Sequence, residues 1–167
     1  MSRDEDHWQA VEEATELLVE GRFEEGLRAL RDLVRRDPSN PYAYHYIGTA
    51  LFELKQLAPA RDAYRAALKL APSYLATRVA LSHVLRLLGD IDGALEQSSE
   101  ALDRFPQDGA ALHAAGLAHA AKGQRGQARR RLEGYLGTHP EVEAELEVRG
   151  ILEMLGIGPE DEPIEFD

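Results

Sequence analysis

The sequence predicts an all-α protein built from repeated pairs of helices. The first observation is a set of four evenly spaced prolines, at intervals of 34 residues: Pro38, Pro72, Pro106 and Pro140. Such a period indicates an internal repeat, and periods of roughly 20–50 residues are typical of solenoids. The second observation is compositional, because Ala and Leu, which favour helix, are abundant and only 7% of the residues are aromatic. Apolar residues also recur at helical spacing.

The period places four repeats along the chain. Their boundaries are residues 7–40, 41–74, 75–108 and 109–142. Each repeat is expected to contain two antiparallel amphipathic helices around a short turn, for example at about 41–54 and about 58–70 in the second repeat. One such hairpin cannot bury its own apolar face, so the hairpins must stack on one another.

The turn and cap residues follow the same register. Three glycines stand where a left-handed residue would end the first helix of a pair: Gly21, Gly89 and Gly123. Lys55 takes the remaining place in that series. Three polar residues are placed to cap helix starts: Asn40, Asp92 and Asp108.

The segments outside the repeats are short. Residues 1–6 are expected to be a flexible N-terminus, and residues 158–167 an acidic, disordered tail. Between them, a capping helix is predicted at about 141–155, so that residues 143–157 hold its end. Its apolar side is predicted to carry Val142, Leu146, Ile151, Leu152 and Leu155.

The second repeat resembles the tetratricopeptide repeat. The resemblance is carried by Tyr44-x-x-Ile47-Gly48-x-x-Leu51, followed by Ala60-x-x-x-Tyr64, Ala67 and Pro72. It extends over residues 7–142 and is weaker in the first and fourth repeats. It implies an α-solenoid of about nine helices, wound as a right-handed superhelix with a concave inner surface.

That resemblance also implies which residues line the concave surface. The first helices of the repeats would contribute Trp8, Thr15, Tyr42, His45, Thr49, Phe52, His83, Arg86 and His113. Tyr46 and Glu53 flank the second-repeat set. Rigid aromatic side chains and Arg are frequent anchors of protein interfaces. The expected function is therefore a non-enzymatic adaptor that binds a peptide or helix of a partner protein, within a bacterial multiprotein assembly.

A clamp for an acidic peptide terminus is not expected on this surface. Repeat arrays that bind the C-terminal carboxylate of heat-shock chaperones use Lys, Asn and Arg side chains there. The matching positions in this chain are Val11, Thr15, Tyr46, Ala76 and Ala80. None of these side chains can hold a carboxylate by charge.

Four arginines form a possible basic patch on the convex side: Arg125, Arg129, Arg130 and Arg131. The patch is either a solvated helix face beside the Glu-rich cap or a docking site for an acidic partner. Nucleic acid is not expected as a partner, because the net charge is −11 and no aromatic residues interleave with the arginines.

Other chemistry is excluded by composition. The chain has no Cys, and its six His are too widely spaced to converge on a metal, so we expect no metal and no cofactor. We see no catalytic constellation, no signal peptide and no apolar run long enough to span a membrane, so a cytoplasmic location is expected.

Two alternative functions stay open, a dedicated secretion-type chaperone and a self-associating structural subunit. The choice between monomer and homodimer also stays open.

Overall fold

The structure is a computed structural model, which describes residues 2–156. These residues form nine helices: α1 (Arg3–Val19), α2 (Phe23–Arg36), α3 (Pro41–Glu53), α4 (Leu57–Leu70), α5 (Leu75–Leu87), α6 (Ile91–Arg104), α7 (Gly109–Lys122), α8 (Arg125–Leu136) and α9 (Val142–Leu155). No strand occurs between residues 2 and 156, which confirms the all-α prediction. No helix in this part of the chain is long and apolar enough to cross a membrane.

The chain divides into two compact units at Val84, within α5. In the first unit, α1 packs on α2 and α3, α2 packs on α3, and α3 packs on α4. In the second unit, α6 packs on α7, α7 on α8, and α8 on α9. Each unit therefore contains helices that bury their apolar faces against their neighbours in sequence, as the repeat predicts.

The turns inside the repeats use a left-handed residue. Gly21, Gly89 and Gly123 have φ angles of +76°, +84° and +84°. Lys55 stands in the same register and adopts the same conformation, with φ of +61°. A side chain makes this conformation costly, so the turn after α3 contains strain that the other three turns avoid.

Two of the three predicted helix caps are confirmed, and the third is wrong. The Asn40 side chain accepts hydrogen bonds from the backbone N–H groups of Tyr42 and Ala43, and Asp108 caps α7 in a similar way. At α6 the cap is Asp90, whose Oδ1 accepts from Gly93 N at 2.9 Å. Asp92 lies within the first turn of α6, and its carboxylate contacts Lys122 Nζ at 2.8 Å.

Helix α1 begins before the repeat boundary. Ser2 and Glu5 form a capping box, in which each side chain accepts a hydrogen bond from the other residue's backbone N–H. Hydrogen bonding from Ser2 to the Glu5 carboxylate, above all from the Ser2 backbone N–H, lowers the pKa of the Glu5 carboxyl group. Residues 3–6, which the sequence assigns to a flexible N-terminus, are thus the first turn of α1.

Close packing of α3 on α4 depends on Gly48. A Cβ atom at Gly48 would lie 2.5 Å from the ring of Tyr64, which is itself buried. This contact joins α3 to α4 and explains the small residue and the aromatic residue of the sequence motif.

The capping helix α9 is confirmed, but its predicted apolar side is partly wrong. Val148, Ile151 and Leu155 are buried against α7 and α8. Val142 and Leu146 are 72% and 65% exposed, because they lie on the opposite face of the helix. The predicted tail, 158–167, lies outside the described residues.

Candidate functional site

A cavity of about 540 Å³ opens on the surface of the first unit. Its walls come from α1, from the start of α2 and from α3. The lining residues are Thr15, Leu18, Val19, Phe23, Tyr46, Thr49 and Glu53, and we call this cavity the α1–α3 groove. Pockets that bind small ligands have volumes of roughly 300–1,000 Å³, so the groove can hold one or two large side chains.

The helical repeat places these side chains together. Tyr46, Thr49 and Glu53 are three and then four positions apart on α3, so they lie on one face. Thr15 and Val19 are the residues of α1 that stand 34 positions before Thr49 and Glu53. The groove is thus formed by equivalent positions of two consecutive repeats.

An aromatic cluster adjoins the groove. Trp8 lies 5.4 Å from Tyr42 in an edge-to-face arrangement and 6.2 Å from Tyr46, measured between ring centroids. Tyr42 in turn contacts Tyr74 edge to face at 5.4 Å. Trp8 is 41% exposed, and the three tyrosines are half-buried. Aromatic pairs in this geometry are favourable beyond the area they bury, so Trp8, Tyr42, Tyr46 and Tyr74 form a rigid surface.

A carboxylate fixes one end of this cluster. The Tyr42 hydroxyl donates a hydrogen bond of 2.7 Å to Asp4 Oδ1. This bond raises the pKa of the Tyr42 hydroxyl, with burial as a further cause. Tyr42 therefore remains a neutral donor, and its ring is held in position by Asp4 and by the rings of Trp8 and Tyr74.

His45 supports the cluster from within the first unit. Its Nδ1 atom forms a hydrogen bond of 2.8 Å with Oγ1 of the fully buried Thr77, and its ring lies 4.9 Å from the ring of Tyr74 and 5.0 Å from that of Tyr46. Burial lowers the pKa of His45 to about 4. The imidazole is therefore neutral at pH 7 and brings no positive charge to the groove.

Tyr74 occupies a position that is polar in the neighbouring repeats. It stands 34 residues after Asn40 and 34 before Asp108, which both cap helices. Its carbonyl accepts the first hydrogen bond of α5, from Arg78 N, so Tyr74 is at the start of that helix. A phenol ring cannot cap a helix as Asn does. The third repeat has an aromatic contact in place of the cap.

The charge near the groove is negative. Glu53 lines it, and Glu12 lies on the same face of α1 as Trp8 and Thr15, by helical spacing. Among the seven lining residues there is no Lys, Arg or His. The cations that follow α1 and α3 are engaged elsewhere, since Arg22 pairs with Glu20 and Glu25 and the Lys55 ammonium lies 5.9 Å from the Phe52 ring centroid.

The predicted first-unit residues divide into three groups. Thr15 and Thr49 line the groove, and Trp8 and Tyr42 belong to the aromatic cluster beside it. His45 and Phe52 do not line it, because Tyr46 and Glu53 take the facing positions, one residue further along α3. His83 is half-buried on α5. The signal for Tyr46 and Glu53 was the spacing of four and seven residues from Tyr42 and Tyr46, and the signal for Val19 was its place 34 residues before Glu53. Phe23 and Tyr74 depended on contacts that the register does not encode.

The other predicted residues belong to the second unit. The His113 ring stacks on that of Tyr135, with centroids 4.9 Å apart, and burial lowers its pKa. Arg86 is half-buried, and burial lowers its pKa while the Glu147 carboxylate acts in the opposite direction.

The predicted basic patch requires one correction. Arg129 and Arg130 are exposed and Arg131 is half-buried. Arg125 is buried, and its Nη1 donates to the carbonyl oxygens of Met154 and Leu155 at 3.2 and 3.3 Å. Arg125 therefore binds the C-terminal end of α9, where free carbonyls favour a cation, and does not belong to an exposed patch. Between residues 2 and 156 no three His, Asp or Glu side chains are grouped to hold a metal ion.

Comparison with known families decides what the repeat is. Residues 11–74 match the family model described as the tetratricopeptide repeat. Within these residues the chain contains the tetratricopeptide repeat. The matched segment includes all the residues of the α1–α3 groove, together with Tyr42 and Tyr74.

Solved structures of tetratricopeptide repeat proteins have the same fold. The chain is similar to residues 41 to the end of MamA from Desulfovibrio magneticus RS-1, with a TM-score of 0.74 at 20% identity, covering 93% of this chain and 91% of that one. It is similar to YrrB, described as a tetratricopeptide repeat protein with an unusual peptide-binding site, with a TM-score of 0.72 at 22% identity over 82% and 71% of the two chains.

A third similar structure is the first tetratricopeptide repeat domain of Spaghetti (RPAP3), solved with an HSP90 peptide, SRMEEVD. Its TM-score is 0.66 at 19% identity, over 71% of this chain and 94% of that one. No curated protein matches the sequence. At these identities the structures establish the fold of the chain and leave its ligand to be argued from its own residues.

Proposed function

We propose that this protein is a non-enzymatic interaction module that binds a peptide segment of a partner protein in the α1–α3 groove. The observation that carries the proposal is a cavity of about 540 Å³ that adjoins an exposed aromatic cluster. A groove that accepts apolar side chains, next to rigid aromatic rings, is a frequent arrangement for anchoring a peptide.

The exposure of the groove edge supports this proposal. Val19 is 89% exposed although it lines an apolar cavity, and Trp8 is 41% exposed. Burial of such side chains by a ligand is favourable, at roughly 25 cal/mol per Å² of apolar surface. The aromatic rings are already held by one another and by Asp4, so little ordering is needed on binding.

The solved structures add support by analogy. YrrB is described as having an unusual peptide-binding site, and the Spaghetti domain was solved with a bound peptide. Peptide binding by this chain is inferred from the geometry of its own groove, and the shared fold makes such binding plausible.

The test is a comparison of two matched variants. Val19→Arg places a long charged side chain at the groove, and Val142→Arg makes the same change at an exposed valine of α9. Peptides selected on the wild-type protein from a random dodecapeptide library should bind Val142→Arg unchanged. They should lose about tenfold or more in affinity for Val19→Arg, because the new side chain occupies their site.

The result that overturns the proposal is equally direct. If peptides bind Val19→Arg and wild type equally well, the groove is not their site. Circular dichroism of both variants checks the fold, and exposed substitutions of this kind alter stability by about 0.5 kcal/mol or less.

A self-associating subunit is the second candidate, and one observation favours it. Val142 and Leu146, four residues apart, are exposed on one face of α9. An apolar stripe at this spacing can pack against the same stripe of a second copy. Sedimentation of the wild type and of Leu146→Lys over a range of concentrations tests this candidate, which requires a dimer that the substitution dissociates.

A further inference from the structure

We infer that the α1–α3 groove selects peptides in which a Lys or Arg lies next to aliphatic or aromatic residues. This inference rests on the proposed function and names the chemical class of its ligand. The occupant to which it commits is a basic, amphipathic segment of a partner protein.

The apolar part of the ligand is specified by the walls. Leu18, Val19 and Phe23 form one side of the groove, and the Tyr46 ring stands on the other. The Thr15 and Thr49 hydroxyl groups donate their protons within their own helices, because Thr15 Oγ1 donates to Glu12 O and Thr49 Oγ1 donates to His45 O, so neither offers a free donor to the ligand. The interior of the groove therefore favours an apolar side chain.

The charged part of the ligand is specified by Glu53. Its side chain lines the groove at the C-terminal end of α3 and is exposed. Carboxylates next to an apolar pocket attract a ligand that has a cation beside its apolar anchor, since complementary charge fixes orientation and partner choice. A cation at this end of α3 is also favoured by the partial negative charge of the helix C-terminus.

The residues around Trp8, at the other end of the site, also favour a basic ligand. Glu12 lies between Trp8 and Thr15 on the exposed face of α1, and Asp4 is bound to the Tyr42 hydroxyl. Trp8 offers an exposed indole ring, which is the best aromatic partner for Lys or Arg. A basic peptide thus finds carboxylates and an aromatic face along the same surface.

An acidic ligand is disfavoured by the same residues. His45 is half-buried and neutral, Arg22 pairs with Glu20 and Glu25, and the Lys55 ammonium lies over the Phe52 ring. A peptide carboxylate in the groove would meet Glu53 without a compensating cation from the lining residues. Like charges placed together at an interface are unfavourable, so the groove discriminates by repulsion as well as attraction.

The experiment uses the full chain and three synthetic peptides of one design. Each is an amidated and acetylated dodecapeptide that carries the apolar residues found by selection, with Lys, Gln or Glu at the adjacent positions. Binding is followed through the fluorescence of Trp8, the single tryptophan of the chain, at low and high salt. The protein variants are Glu53→Gln, Glu53→Lys and, as a control of equal charge change in the second unit, the exposed Glu96→Lys.

We expect the wild-type protein to bind the Lys peptide most tightly and the Glu peptide most weakly. Glu53→Gln should weaken binding of the Lys peptide about threefold and Glu53→Lys about tenfold, with Glu96→Lys close to wild type. High salt should reduce these differences, because exposed charges are screened beyond about 8 Å at physiological ionic strength.

Two results overturn the inference, and only the second also overturns the proposed function. If the three peptides bind equally and lose affinity for Val19→Arg but not for Glu53→Lys, the groove binds peptides without a preference for basic ones. In that case the proposed function stands and the inference is wrong. If no peptide loses affinity for Val19→Arg, the groove is not the binding site, and both are wrong.

Discussion

Trp8 and Tyr42 are 34 positions apart in the sequence, and their ring centroids are 5.4 Å apart in the structure. They are equivalent residues of the first and second repeats. Stacking of the first two repeats places these equivalent positions side by side on one surface. In the first unit this surface consists of the aromatic cluster and the α1–α3 groove.

Because the Trp8 ring contacts Tyr42, the fluorescence of Trp8 reports on the aromatic cluster. Tyr42→Ala should increase the exposure of the indole ring and shift its emission to longer wavelength. The loss of the ring contact should also lower the free energy of unfolding by about 1 kcal/mol. Urea unfolding followed by fluorescence measures both effects, and Phe105→Ala, an exposed aromatic residue of the second unit, is the control that should leave the emission unchanged.

Acid should destabilise the first unit through His45. Burial lowers its folded pKa from 6.5 to about 4, whereas the unfolded chain keeps the ordinary value. The neutral imidazole therefore contributes stability that is fully present above pH 6.5 and is lost as the pH falls towards 4. The loss amounts to up to roughly 3 kcal/mol.

The measurement for this prediction is urea unfolding at about pH 7 and about pH 4.5. His45→Gln should lose less stability than wild type between these pH values, because Gln takes up no proton. The exposed His139→Gln should behave as wild type. Equal pH dependence in all three proteins would show that His45 does not contribute.

Replacing Lys55 with glycine in the turn after α3 should stabilise the protein. Lys55 has φ of +61°, a conformation that costs a residue with a Cβ about 1–2 kcal/mol. Lys55→Gly removes this cost but adds chain entropy and loses the contact with the Phe52 ring, so a net gain of about 0.5 kcal/mol is expected.

The reciprocal change provides the control. Gly89 has the equivalent place in the third repeat, with φ of +84°, and a Cβ there would meet no atom within 4 Å. Gly89→Lys should therefore lower the free energy of unfolding by about 1 kcal/mol through backbone strain alone, and with it the melting temperature. A lower melting temperature for Lys55→Gly contradicts the prediction.

Arg125 should be essential to the attachment of α9. Its guanidinium is buried and donates to the carbonyl oxygens of Met154 and Leu155. Arg125→Gln removes these charge-assisted bonds and should destabilise the protein by roughly 2 kcal/mol. The exposed Arg130→Gln should change the free energy of unfolding by about 0.5 kcal/mol or less, as measured by urea titration.

Much of the fold was predictable because the repeat period is strict. It placed the left-handed turns at Gly21, Gly89 and Gly123 and the caps at Asn40 and Asp108. Asp92 was the wrong cap because two nearby aspartates compete for the start of α6, and Asp90 has the backbone conformation that reaches Gly93 N.

The site was predicted less completely. The register transferred from the family selected His45 and Phe52, but adjacent helical residues are separated by about 100° around the axis. A shift of one residue therefore replaces an imidazole and a phenyl ring with the phenol ring of Tyr46 and the carboxylate of Glu53. Tyr74 was not predictable because its role depends on an aromatic ring at a position where other repeats have a cap.

The burial of Arg125 and its bonds to the end of α9 could not be predicted from the sequence either. It stands next to three arginines of α8 in the chain and was grouped with them by charge. Its burial depends on the position of the α9 C-terminus, which is almost thirty residues away in the chain. Composition alone cannot distinguish a buried arginine from an exposed one.

The most direct test of the central claim is chemical-shift mapping by NMR of the full chain with a selected Lys-containing peptide. The largest shifts should occur at the residues that line the α1–α3 groove, with Thr15, Tyr46 and Thr49 among them, and Val19→Arg should abolish them. Shifts centred on the exposed residues of α9 or on Arg129 and Arg130, with the groove unaffected, would contradict it.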